Sequence, residues 1–373
     1  MCRALPLWGS PVPAPPRLAW FDPGREIGGV TLELDEKELL NRLAAAASSR
    51  WPGAEVEGLR RLPGGVSSLT YASTLHIPAE SAQSVVVKVA PPGLAPVRNR
   101  DVLRQARVIR ALDAVPVMRV PSVLFEDDGA PPLFAMELVP GDSYEPLLDV
   151  MPDPPTAEVV GRRARAAARM LARMQSLSPE SLGLADEPVV TVKEELDRWA
   201  LLLDTVDDDI CPGHRELYDA LAERVPNPVT PVLVHGDYRL ANMLFLGDAL
   251  NAVIDWEIWS VGDPRTDLAW LLMHTDPVHH FEEARDEADR AAGRGMPTRL
   301  ELLEEYQRVR PVPMPELDWF LAYCHYKTAS TVSVFVKRNR RRPDPDPKLV
   351  TAAASLVSVI RRGREILESA GPS

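Results

Sequence analysis

The chain has 373 residues, 45% of them hydrophobic and 26% charged, with a formal net charge of −12. That length suits two lobes around one site, the acidic balance excludes an electrostatic nucleic-acid binder, and no apolar run reaches the length of a membrane span. Its three cysteines, Cys2, Cys211 and Cys324, are too few and too scattered for a disulfide framework or a zinc site, which points to a reducing, cytoplasmic setting.

Residues 1–30 read as a Pro-rich tail, because prolines break the stretch where a signal peptide would need its apolar core. A helix is expected over 35–48, capped by Asp35, with Leu39, Leu40 and Leu43 as its apolar stripe. Extended runs follow at 54–62, 69–77 and 84–90. The first two are joined by the turn Pro63-Gly64-Gly65-Val66-Ser67-Ser68, and the third contains the β-branched run VVVKV. A helix over 97–112 buries Val102, Leu103, Ala106 and Ile109, and further extended runs lie at 117–126 and 132–139. After a Pro-rich passage the patterns turn helical, at 156–177, 192–203, 216–224 and 264–274. A capping box at Thr298–Glu301 starts another helix, and 316–338 and 348–367 complete the chain. The basic run at 337–342 is a solvated helix end. The expected fold is α+β in two lobes, a β-rich lobe over 31–139 and a larger, mainly helical lobe over 140–373.

The chemistry is concentrated in 231–270, PVLVHGDYRLANMLFLGDALNAVIDWEIWSVGDPRTDLAW. One apolar run opens into His235-Gly236-Asp237 with Asn242 five residues beyond the aspartate, and a second opens into Asp255-Trp256-Glu257. Phosphoryl transfer needs a cover for the phosphates, a cation on them, a carboxylate-held metal and a group that positions the acceptor hydroxyl. Asp237 can take the hydroxyl proton, while Asn242 and Asp255 offer oxygens to Mg²⁺, with Glu257 a second candidate for the metal. Arg239 can reach a γ-phosphate, His235 fits loop bracing better than metal ligation, and Asp267 fits helix capping or loop bracing better than catalysis. Gly64 and Gly65 allow close backbone approach to phosphates, with Ser67 and Ser68 as donors. Lys88 shares a strand face with Val86 and Ala90; taken alone it reads as an edge-strand lysine reaching for solvent. A metal-dependent phosphohydrolase would use the same carboxylates but leave the glycine turn and Lys88 idle.

The joint pattern VHGDYRLANMLF, VIDWE and GDPRTDLAW resembles the aminoglycoside phosphotransferase family, a branch of the protein-kinase-like fold. PGGVSSLTY is similar to that family's glycine-containing loop, VVVKV to its ATP-lysine strand and FAMELVPG to its hinge, so the resemblance covers about 35–340. It implies that Lys88 contacts the nucleotide phosphates and that the backbone from Glu137 to Val139 meets the base. ATP is the implied donor, with GTP an alternative that backbone contacts would not separate, and Mg²⁺ the implied metal. The implied acceptor is a hydroxyl of a small molecule. YRLAN, LDRWALLL and VFVKRNRR are more similar to the kinase-like domains associated with acyl-CoA dehydrogenases than to antibiotic-resistance enzymes. Two departures stand out. Gln105 occupies the place of the glutamate that pairs with the lysine, which favours a nucleotide-binding pseudokinase as the rival reading, and Ser68 stands where the family often has Asn. Acceptor contacts are expected over 274–326, where His274, Asp276, Glu282, Glu283, Asp318, Tyr323 and His325 are the polar candidates; any one of them, taken alone, reads as exposed helix surface.

Overall fold

The computed structural model describes residues 34–62, 68–146, 148–275 and 287–370. Gly64, Gly65, Ser67, Asp276, Glu282, Glu283 and the Pro-rich tail lie outside these. The chain starts with α1 (Glu36–Arg50), capped as expected by Asp35, whose carboxylate accepts from the amides of Lys37 and Glu38. Five antiparallel strands follow: β1 (Glu55–Arg61), β2 (Leu69–His76), β3 (Gln83–Val89), β4 (Val123–Asp127) and β5 (Leu133–Glu137). Their spatial order is β1-β2-β3-β5-β4.

Strand β3 is therefore central, paired through Thr70↔Lys88 on one side and Lys88↔Phe134 on the other. This corrects the edge-strand reading of Lys88. The two-residue period of the strand sends Val85, Val87 and Val89 into a core shared with Leu39 and Leu43 of α1. Lys88 is sent to the opposite face. That face is covered by α2 (Val102–Asp113), whose Val102, Ala106, Ile109 and Leu112 join a core continuous with the helical part of the chain. The helix expected over 97–112 is shorter than predicted. A 3₁₀ turn at Arg98–Arg100 precedes it, and Asp101 caps the helix by accepting from the Arg104 amide.

The helical part comprises α3 (Ala157–Met174), α4 (Val192–Leu203), α5 (His214–Ala222), α6 (Pro264–Met273), α7 (Glu287–Gly293), α8 (Arg299–Val309), α9 (Leu317–Arg340) and α10 (Pro347–Ser369). Thr298 and Glu301 form the expected capping box. The basic run closes α9 with Arg338, Arg340, Arg341 and Arg342 exposed, as expected of a solvated helix end, while Lys337 lies near Asp207 and Arg340 pairs with Asp209. Two small ribbons interrupt the helices: β6 (Val232–Val234) with β9 (Ser260–Gly262), and the hairpin β7 (Met243–Leu246) with β8 (Ala249–Val253). The crossing segment is pinned to this hairpin by mutual backbone bonds between Asp142 and Phe245, each 2.9 Å. Arg163 adds bonds to the Asp142 carboxylate and the Gly247 carbonyl. Among the described residues no helix is long and apolar enough to cross a membrane.

Candidate active site

The hairpin register brings the two polar clusters of the sequence together. Met243 pairs with Val253, and the Ile254 amide donates to the Asn242 carbonyl at 2.9 Å, so Asn242 and Asp255 leave the hairpin side by side. Asp255 is a non-glycine residue in the left-handed region (φ 69°, ψ 56°), a conformation that stores about 1–3 kcal/mol and ends the ladder abruptly. Its carboxylate meets the Lys88 ammonium at 3.2 Å, joining the central strand of the sheet to the hairpin. Glu257, half-buried, follows in a 3₁₀ turn.

The segment 235–242 is held from several sides. Asp267 is not the cap of α6, a role taken by Asp263. Its buried carboxylate instead accepts from the amides of His235 at 2.6 Å and Gly236 at 2.9 Å. His235 accepts the Asp237 amide on Nδ1 and its Nε2 meets the Ile254 carbonyl at 3.0 Å, which fixes the proton on Nε2. Both residues brace the loop, as expected. Gly236 has φ +87°, and a Cβ there would lie 2.6 Å from the Ile258 carbonyl oxygen, so only glycine fits.

These contacts present Asp237. Its Oδ1 accepts from the Trp270 indole at 2.8 Å and from Arg239 Nε at 3.2 Å, while Oδ2 accepts from Asn242 Nδ2 at 2.8 Å. Burial alone would raise this carboxyl. Arg239, then Lys327, and the Asn242 bond outweigh it and hold the group well below the ordinary carboxylate range. Because Asn242 spends its amide NH₂ on Asp237, its Oδ1 is the oxygen left for a cation. Among the described residues no group of three or more His, Cys, Asp or Glu could hold a metal ion unaided. A neutral oxygen from Asn242 and a charged one from Asp255 fit Mg²⁺, which keeps waters and takes phosphate oxygens for the remaining positions.

Two partners of Arg239 were not anticipated. Glu145, fully buried, has Oε2 4.0 Å from Arg239 Nη1 and accepts from the Ala241 amide at 3.3 Å. Burial, with Asp237 adding to it, raises the Glu145 carboxyl to about 7 against the opposing pull of Arg239 and the Ala241 amide. Asp149, itself buried, lies close enough to add to the pull on the guanidinium. Lys327 of α9 is the other surprise. Its ammonium donates to the Gly236 carbonyl and sits 4.0 Å from the centre of the Trp270 ring. The only hint in the sequence was a rare lysine inside the apolar run AYCHYKTAS.

Ser68 Oγ is buried and has no partner among the described residues. Gln105 is buried beside Lys88, but its amide donates to the Asn99 carbonyl at 3.2 Å and not to an anion. Lys88 takes Asp255 instead. The amides of Glu137 and Leu138 are used within the sheet, by Ser122 and Ser84. The exposed-surface reading fails for His274, Tyr323 and His325, each buried; Asp318 is half-buried and paired with Arg299. His274 Nδ1 meets the Trp270 carbonyl, and burial with Arg239 nearby pushes its imidazole down to about 4, so it is neutral. Tyr323 bonds to Trp199 and Glu195.

An antiparallel five-stranded lobe whose central lysine reaches a carboxylate rooted in a helical lobe defines a two-lobed, protein-kinase-like α+β fold. The chain belongs to the phosphotransferase enzyme family, whose sequence model matches residues 58–311. A Ralstonia eutropha structure provisionally assigned as an aminoglycoside phosphotransferase has a TM-score of 0.69 at 20% identity, covering 88% of this chain and 98% of that one. A complex of an aminoglycoside phosphotransferase with AMP-PNP and hygromycin B has a TM-score of 0.57 at 14% identity, covering 91% and 99%. Acyl-CoA dehydrogenase family member 10 of Mus musculus is 27% identical over 273 residues, 69% of this chain and 25% of its own length. The chain spans about a third or less of the length of the curated relatives that match it first.

Proposed function

We propose that this chain transfers the γ-phosphoryl group of ATP or GTP to a hydroxyl of a small molecule. The observation that carries this reading is the convergence of Asp237, Asn242, Asp255 and Lys88 on one cleft, with Lys88 Nζ 3.2 Å from Asp255 across the lobes. Asp237 orients the acceptor hydroxyl. Its depressed pKa makes it a weak base, so it takes the proton late, as the oxygen–phosphorus bond forms and the bond from the γ-phosphorus to the bridging oxygen breaks. Lys88 binds the α- and β-phosphates once nucleotide displaces its contact with Asp255, and Arg239 steadies the γ-phosphate from beside Asp237. Mg²⁺, held by Asn242 and Asp255, would neutralise charge on the phosphates. The glycine turn with Gly64, Gly65, Ser67 and Ser68 would cover them, and the Val139 amide would meet the base. The division of labour is a nucleotide lobe over 31–139 and a catalytic lobe over 140–373.

The hygromycin complex and the acyl-CoA dehydrogenase relatives suggest the acceptors to try: aminoglycosides and hydroxyacyl thioesters. Calorimetry should show binding of ATP or GTP that tightens with Mg²⁺. In the transfer assay, Asp237→Ala should lower turnover by about 10³-fold while leaving nucleotide affinity within a few-fold. Absence of nucleotide binding, or an Asp237→Ala variant as active as the parent, overturns the reading. The rival, a nucleotide-binding scaffold without turnover, rests on Gln105, whose amide faces a carbonyl and gives Lys88 no charge.

A further inference from the structure

Lys327 is one of two buried lysines among the described residues, and the transfer chemistry assigns it no task. It sits on α9, 91 residues beyond Gly236 in sequence, and its ammonium makes three contacts. It donates to the Gly236 carbonyl, lies 4.0 Å from the Trp270 ring centre and lies 5.5 Å from that of Trp199. A buried ammonium carries a large desolvation penalty, and a methionine would fill the same volume without it. The three contacts offset that penalty only because they are charge-assisted: a carbonyl oxygen and two indole faces all attract a cation.

What those contacts hold matters more than what they stabilise. Gly236 is the residue before Asp237, and its backbone amide is already fixed by Asp267, so Lys327 fixes the other end of the same residue. Trp270 donates its indole N–H to Asp237 Oδ1 at 2.8 Å, so a cation seated over that ring restrains the donor that aims the carboxylate. Arg239, Asn242, His235 and Asp267 meet the loop from its own side and from α6; Lys327 is the cation that meets it from α9.

Resting on the phosphotransfer reading above, we propose that Lys327 is a positioning residue of the transfer site, locking the Gly236 carbonyl and the Trp270 indole so that Asp237 is aimed before substrate arrives. The test compares Lys327→Met, which keeps volume and removes charge, with Lys327→Arg, which keeps both charge and donor. Its first readout needs no turnover: hydrogen exchange of the Trp270 indole N–H, assigned by its loss in Trp270→Phe. The Trp319 indole, bonded to the Leu221 carbonyl on the same helix, serves as internal control. Lys327→Met should speed Trp270 exchange at least 10-fold with Trp319 unchanged, and Lys327→Arg should stay within about 3-fold of the parent. In the transfer assay, Lys327→Met should lower kcat by about 10- to 100-fold with nucleotide Kd unaltered, the loss expected of a small misplacement of an aiming group, and Lys327→Arg should recover most of it. Trp270 exchange within 2-fold of the parent in Lys327→Met, or equal acceleration at Trp270 and Trp319, overturns the assignment. If Lys327→Met does not fold, Lys327→Arg decides alone: retained Trp270 protection supports the proposal and its loss overturns it. A parent protein without any turnover would sink the phosphotransfer reading and leave the exchange result standing.

Discussion

Lys88 and Lys327 approach the same site from opposite lobes, equally buried but held by different kinds of partner. Among the described residues the carboxylate on Lys88 is Asp255, which is also the charged oxygen proposed for a metal. Lys327 has a carbonyl and two indole rings, none of which the proposed reaction consumes. Under the proposed reaction, the phosphate side would be built around a contact that nucleotide can exchange, whereas the loop carrying Asp237 is braced by Asp267, His235, Trp270 and Lys327. The acceptor half would then be preorganised and the phosphate half completed by its ligand.

The sharpest way to break this contrast is to disturb the braced half. Gly236→Ala forces a Cβ to 2.6 Å from the Ile258 oxygen at φ +87°. It should destabilise the fold by about 3–4 kcal/mol in urea unfolding and abolish transfer. An effect below about 1 kcal/mol would mean that the loop is pliable.

Next comes Glu145, on the same side. Its folded-state carboxyl titrates at about 7, above the ordinary value of 4.5, so the fold prefers the protonated form. Stability from this group is therefore complete below the unfolded value and is lost as pH rises from 4.5 to about 7, a change of about 3 kcal/mol, of which about 2 kcal/mol falls above pH 5.5. Glu145→Gln should flatten the difference in unfolding free energy between pH 5.5 and 8.5. The same slope in both proteins would refute the assignment.

The smallest effect is expected on the exchangeable half. Gln105→Glu should raise nucleotide affinity by no more than about 3-fold in calorimetry, since Lys88 already has Asp255 and a new carboxylate must be desolvated. A 10-fold gain, or a large rise in turnover, would show that the missing charge limits the site; no turnover in either form supports the scaffold reading.

Much of this architecture was legible in the sequence because its signals are local. The two-residue period of VVVKV, the Asp35 cap and the Thr298 capping box each act within a few residues. What escaped was non-local or very short. Strands β7 and β9 have four and three residues and exist only through their partners. The edge reading of Lys88 failed because strand order depends on β5, some 45 residues later. Lys327 and Glu145 lie about 90 residues from the loop they meet, in an apolar helix and a Pro-rich passage, and neither segment advertises a site. His274 and His325 were read as surface because helix burial in this region comes from several elements at once.

Helix α2 belongs physically to both halves. Arg104 bonds to Glu187 and to the Trp259 carbonyl, its guanidinium lies 3.8 Å from the Trp259 ring centre, and the Trp259 indole donates back to the Arg104 carbonyl. Arg107 adds Asp186, Glu187 and the Gly183 carbonyl. Kinase-like helices in this place can act as levers when one glutamate is their latch. Here the latch residue is an amide and the lever is bolted down along its outer edge. Swinging this helix would mean breaking its ion pairs to Asp186 and Glu187 and its bonds to Trp259 at once.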